Sequence, residues 1–62
     1  MAARFVIEKK PSGQYHFVLK AANGEIIATS ENYTTKASAQ NGIDSIKTNA
    51  KSARVDDETG ES

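Results

Sequence analysis

The stretch QYHFVLKAANGEIIATSENYTTKASAQNGIDSIKTNA, residues 14–50, decides the fold. In its first part Tyr15, Phe17, Leu19 and Ala21 alternate with His16, Val18, Lys20 and Ala22, the period-two pattern of a strand with one face on a core. The first set is the expected core face. Asn23-Gly24 interrupts the pattern with a strong short-range hairpin signal, and it predicts a type I′ turn with positive φ at both central residues. A third strand follows from Glu25 to about Ser30. Ile26 and Ile27 are neighbours in it and face opposite ways, so one of them is expected to lie away from the helix-covered core. From Thr35 the period becomes helical, with Ala39, Ile43, Ile46 and Ala50 on one stripe. Thr35 is the expected N-cap, and Tyr33 is expected to pack where the chain enters the helix. Gly42 in mid-helix costs ~1 kcal/mol relative to alanine, which marks either a close approach to the sheet or a partner, or a tolerated weak spot.

Outward toward the N-terminus, Phe5 and Ile7 alternate with Arg4, Val6 and Glu8, which predicts a first strand over about residues 3–10. Pro11-Ser12-Gly13 joins it to the second strand. Proline suits the first central position of a type I turn and Gly13 is free to take positive φ, giving a three-residue hairpin connection. The expected core is Phe5, Ile7, Tyr15, Phe17 and Leu19 against Ile43 and Ile46, with Ala39 and Ala50 allowing close helix approach. Outward toward the C-terminus, Ala53, Arg54, Val55 and Asp56 form a candidate last strand resting on a single valine. The fold class is therefore α+β: an antiparallel β-β-β-α-β unit with its helix on one sheet face.

At 62 residues the chain is one domain at most. A domain of this size buries only about 60% of the surface its unfolded chain exposes, so its stability needs a supplement. There is no cysteine and a single histidine, His16, which removes disulfides and structural metal as supplements and favours self-association. No secretory signal or membrane-spanning run is evident, so a soluble, cytoplasmic protein without membrane contact is expected.

The formal net charge of zero hides an uneven distribution. Residues 1–55, the expected domain, carry all eight basic groups against Glu8, Glu25, Glu31 and Asp44, a balance of +4. Residues 56–62 carry Asp56, Asp57, Glu58 and Glu61, hence −4. That acidic tail has almost no apolar surface to offset its ordering entropy and is expected to be disordered.

The run Gly13-Gln14-Tyr15-His16-Phe17-Val18-Leu19-Lys20-Ala21-Ala22-Asn23-Gly24-Glu25-Ile26-Ile27, joined to Ser30-Glu31-Asn32-Tyr33, Lys36, Ala39 and Gly42-Ile43-Asp44-Ser45-Ile46-Lys47-Thr48-Asn49-Ala50, resembles the YegP-like family of small, mostly bacterial domains. The resemblance covers about residues 3–52. It implies a three-strand, helix and last-strand unit, present once or as a tandem pair. It further implies that two units combine into one continuous sheet with exchange of their C-terminal strands. For a single-copy chain the second unit is a second molecule, and Ala53–Asp56 is the candidate exchanged strand. The resemblance brings with it no catalytic residue, cofactor or ligand.

Chemistry-bearing constellations are sparse. His16 shares a predicted sheet face with Val18 and Lys20, and the sequence sets neither an orienting carboxylate nor a nucleophile beside it, so a surface histidine is expected. Tyr15 and Phe17 could stack nucleic-acid bases on an open sheet, but they lie on the face the helix covers. On a helical wheel Lys36, Lys47 and Lys51 share one flank. With Lys20 or Arg54 they form a candidate phosphate-contacting patch, against the alternative of a solvated flank interspersed with Asp44. Asn32-Tyr33-Thr34 fits a glycosylation sequon that only a secreted protein would use. No metal, cofactor or catalytic site is expected. The functional expectation is a non-enzymatic, self-associating homodimeric module with an unidentified protein partner. The alternative is a weak nucleic-acid binder using the lysine flank.

Overall fold

The computed structural model describes residues 2–61, so Met1 and Ser62, the outer ends of the expected domain and tail, lie outside the described residues. Three strands and one helix form: β1 (Arg4–Lys9), β2 (Tyr15–Lys20), β3 (Ile26–Thr29) and α1 (Lys36–Asn49). The strands make one antiparallel sheet in the order β1-β2-β3. The three predicted strands before the helix and the helix itself are present, a residue or more shorter at their ends than the pattern alone suggests, whereas the candidate last strand over Ala53–Asp56 is not formed among the described residues.

Both hairpins are built on the same turn. In the first, the Gly13 amide donates to the Lys10 carbonyl at 2.9 Å and the Lys10 amide donates to the Gln14 carbonyl at 2.7 Å, with Gly13 at φ +90°. In the second, the Gly24 amide donates to Ala21 at 2.9 Å and the Ala21 amide to Glu25 at 2.8 Å, with Gly24 at φ +88°. Among the described residues only glycines have positive φ. Asn23 is therefore outside the left-handed region, and the expected type I′ turn gives way to a type I turn over Ala22-Asn23 followed by a left-handed glycine. The asparagine serves through its side chain instead: its Oδ1 accepts the Glu25 amide at 3.1 Å.

The first turn sets a bulge-free register in which Phe5 faces Leu19, Val6 faces Val18, Ile7 faces Phe17 and Glu8 faces His16. The β2–β3 ladder is irregular between Leu19 and Lys20. At the far end of β2, Tyr15 and Tyr33 exchange backbone hydrogen bonds of 2.8 and 2.7 Å. The Ser30 hydroxyl also accepts the Phe17 amide at 2.9 Å, extending the pairing past β3. These contacts bring the chain directly to the helix start. There Thr35 caps as expected, its Oγ1 accepting the Ser38 amide at 3.1 Å.

α1 packs on β1 and β2 and does not reach β3. Its core is Phe17, Ala39 and Ile43, with Phe5, Ile7, Tyr15 and Tyr33 packed around them. The Phe17 ring stacks on Tyr33 at 6.0 Å and meets Phe5 edge-on at 5.9 Å. Gly42 lets the helix backbone come down on Tyr33 and Phe17, the close approach that its mid-helix position suggested.

Three core expectations are corrected. Ile46 and Ala50 are exposed, since the buried residues of α1 are Ala39 and Ile43 and the stripe is not covered beyond them. Val18, expected on the open face, is buried at 3% exposure, since the central strand sets it between Val6 and Thr29. Ile26 and Ile27 are 59% and 60% exposed, so neither lies under the helix. The ladder irregularity and the reach of α1 over only two strands leave both open.

Candidate interaction surface

The sequence-predicted cationic residues are divided among three places. Lys36 and Lys47 belong to α1, and Lys51 follows its end. Lys20 faces Arg4 across the β1–β2 ladder, out of phase with the core residue Phe17, and so sits on the sheet face opposite α1. Arg54 lies in the C-terminal segment, its Nε 3.1 Å from Asp56 Oδ1 with both side chains exposed. The expected five-residue patch therefore does not form as one cluster.

What does assemble is a basic margin along β1. Lys47 holds its Nζ 5.9 Å from the Phe5 ring, which fixes the lysine flank of α1 on the β1 side of the sheet. Lys9 holds its Nζ 5.7 Å from the Tyr15 ring, on the same face. Such contacts contribute ~0.5–1 kcal/mol each at exposed sites, and they lay the aliphatic stems over aromatic carbon while leaving the charge at the rim. Lys9 was not singled out from sequence, although its alternation with Phe5 and Ile7 carries the signal.

The open sheet face holds a pairing that sequence reasoning missed. His16 Nε2 stands 2.9 Å from Glu8 Oε1, so the histidine does have a carboxylate beside it, whereas His16 Nδ1 is buried with no hydrogen-bond partner among the described residues. The signal was available in the hairpin: a three-residue connection centred on Ser12 places residue 8 opposite residue 16. Among the described residues no serine or threonine hydroxyl is hydrogen-bonded to the pair. Among the described residues there is no group of three metal-ligating side chains and no enclosed pocket. No helix among them is long and apolar enough to cross a membrane.

The C-terminal segment is exposed from Lys51 through Glu61. The candidate strand Ala53, Arg54, Val55 and Asp56 has no strand partner among the described residues, because one valine among short and ionic residues gives it little to bury, and Val55 is 93% exposed. Farther on, Asp57 Oδ1 accepts the Thr59 hydroxyl at 2.6 Å and the Thr59 amide at 3.0 Å. These bonds, the hydroxyl first, hold the Asp57 carboxyl below the ordinary aspartate value.

The direction of α1 follows from its contacts. Tyr33 bonds Tyr15, Gly42 lies at Phe17, and Lys47 lies over Phe5, which is opposite Leu19. α1 thus runs in the direction of β2, and the chain leaves the helix at the end of the sheet where β1 begins.

Residues 11–57 match the family described as a domain of unknown function, DUF1508. Among curated proteins, the chain is 59% identical over 46 residues to the UPF0339 protein YegP of Yersinia pestis, covering 74% of this chain and 41% of that protein. It is 52% identical over 50 residues to YegP of Escherichia coli K12, covering 81% of this chain and 46% of that one. The chain thus spans less than half the length of these relatives. A solved structure, the NMR solution structure of a protein from Haloferax volcanii, is similar with a TM-score of 0.81 and 35% identity, over 90% of this chain and 95% of the other. On this evidence the chain belongs to the DUF1508 family, the YegP-like UPF0339 domains.

Proposed function

We propose that this chain is a non-enzymatic interaction module that works as a homodimer, with two copies joined edge to edge in one continuous sheet. The observation that carries this reading is the thinness of the single-chain core. Only Phe17, Val18, Ala39 and Ile43 are fully buried hydrophobics among the described residues, while Ile26, Ile27, Ile46 and Val55 stand exposed. A three-stranded sheet also leaves two edges with unpaired backbone groups, which proteins ordinarily cover or pair. Small domains without disulfide or metal draw on oligomerisation for the missing burial, and a two-fold pair is the commonest closed arrangement. That no hydroxyl is hydrogen-bonded to Glu8 or His16 among the described residues favours binding over catalysis as the working mode. The module acts in a bacterial cytoplasm on this reading, and its dimer presents a broadened sheet to a protein partner.

Sedimentation equilibrium at micromolar concentration tests the dimer. The expected result is about twice the 6.7 kDa chain mass. A single species at the monomer mass up to millimolar concentration would overturn it.

A further inference from the structure

We propose that the margin formed by Lys9 of β1 with Lys36 and Lys47 of α1 binds the phosphate backbone of double-stranded nucleic acid without reading its sequence. This surface is independent of the dimer proposed above.

Two of the three lysines are placed by aromatic rings on the helix side of the sheet. Lys9 holds its Nζ 5.7 Å from the Tyr15 ring and Lys47 holds its Nζ 5.9 Å from the Phe5 ring, and both rings pack around the core under α1. Lys36 opens α1. It precedes Lys47 by eleven residues, which leaves the two about 20° apart around the helix and about 16 Å apart along its axis. Since α1 runs in the direction of β2, Lys36 stands at the end of the sheet where Lys9 faces Tyr15. The cations therefore line one straight margin, with Lys9 and Lys36 at one end and Lys47 at the other.

No acid neutralises this line. Among the described residues the ion pairs are Glu8 with His16 and Arg54 with Asp56, so Lys9, Lys36 and Lys47 are all unpaired, and all three are exposed. Glu8 is held by His16 on the opposite sheet face, and Glu25 and Glu31 flank β3. Asp44 sits about 60° around the helix from Lys47, on the outer side, and accepts the Gln40 side-chain amide at 3.2 Å. The four acids that bring the whole chain to zero net charge come after the fold, at Asp56, Asp57, Glu58 and Glu61. A row of unpaired cations is matched by a row of phosphates, each contact releasing a condensed counterion.

The surroundings of the lysines favour a duplex backbone over other polyanions. Phe5 and Tyr15 carry lysines over their rings and Phe17 is buried, so no ring is open to the stacking that single-strand binding uses. The large exposed apolar residues lie off the margin. Ile26 and Ile27 belong to β3, Val55 follows α1, and Ile46 sits about 100° from Lys47 on the far side of Ile43. A lipid surface would need apolar groups set beside the charge. Lysine is also a point charge without the planar fork that reads a base edge, so the contacts fall on phosphates and carry no sequence preference.

Fluorescence anisotropy of the full chain with a labelled mixed-sequence duplex DNA tests the proposal, titrated from low to moderate salt. The parent is expected to bind with a slope of log K against log salt near about −3, from three phosphate contacts. Lys36→Gln/Lys47→Gln should weaken binding at low salt by roughly tenfold or more and make the slope shallower by about two. Lys20→Gln/Arg54→Gln removes the same charge away from the margin and should weaken binding by no more than about threefold. Lys36→Arg/Lys47→Arg keeps the charge and should bind like the parent. The proposal is overturned by a parent that does not bind at low salt, by equal losses in the two glutamine variants, or by an arginine variant as weak as its glutamine counterpart. Tighter binding to the single strand than to the duplex, or binding to phosphatidylserine vesicles in place of the duplex, would overturn it as well. Sedimentation equilibrium of the same variants keeps the two readings apart. Loss of duplex binding at the parental mass supports the margin as the direct contact, whereas loss that follows a change of mass overturns it. A monomer that binds duplex would remove the dimer reading and support the margin.

Discussion

The phenol oxygen of Tyr33 lies 2.5 Å from where a β-carbon on Gly42 would stand, and Phe17 Cε2 lies 3.1 Å from the same point. Helix, bridge and central strand converge there with no room for a methyl group. Gly42→Ala gains helix propensity of ~1 kcal/mol but forces the stacked Tyr33–Phe17 pair apart. Overpacking of this kind costs ~1–3 kcal/mol, so a net loss of stability is expected in urea unfolding. Tyr33→Phe removes the nearest atom, and the double variant should recover part of the loss. An additive double variant would show that the two residues are not coupled.

Ile43 and Ile46 lie on one helical stripe yet differ in cover, at 4% and 39% exposure. Ile43→Ala should therefore cost ~2–5 kcal/mol, close to the whole stability of so small a domain. Ile46→Ala should cost clearly less when measured at concentrations where the chain is monomeric. Equal losses in thermal melts would mean that α1 docks over its full length.

Gly13 and Gly24 carry the left-handed backbone of the two hairpins at φ +90° and +88°, with open space at each β-carbon position. Alanine at either site should cost ~1–2 kcal/mol through backbone strain alone. Asn23→Gly should not stabilise the second hairpin as it would a type I′ turn, because Asn23 has negative φ and its Oδ1 bond to Glu25 is lost. Chemical denaturation of the three variants separates the two turn classes.

Asp57 is held below the ordinary aspartate value by bonds from Thr59. A depressed carboxyl stabilises its turn above the ordinary aspartate range, and that contribution disappears as pH falls through the lowered value. Thr59→Ala should raise the Asp57 midpoint, read from its side-chain carbonyl carbon shift in an NMR titration. An unchanged midpoint would show that the turn is not populated in solution.

The first three strands, the helix, the N-cap and the first turn were legible because each rests on local rules: alternation, helical spacing, a threonine at the boundary, and Pro11 beside Gly13. The misreadings share a different cause. Which strands α1 covers, and how far along it the contacts run, depend on where Tyr33 and Gly42 set the helix on the sheet. Burial at Ile46, Ile26 and Ile27 could not be read from period alone for that reason. Asn23-Gly24 misled because its two-residue signal also fits a turn displaced by one residue. The Glu8–His16 pair was within reach, since the first hairpin fixes the register arithmetically. The basic margin along β1 needed the direction of α1, which emerges only once Lys47 is found over Phe5.

Because α1 runs in the direction of β2, the chain enters β1 and leaves α1 at the same end of the sheet. A second unit appended to the first can therefore start close to where the first one finishes, without a connector crossing the sheet. The geometry makes tandem duplication inexpensive: two copies in one polypeptide need only a short join, and tethering raises the concentration of each for the other.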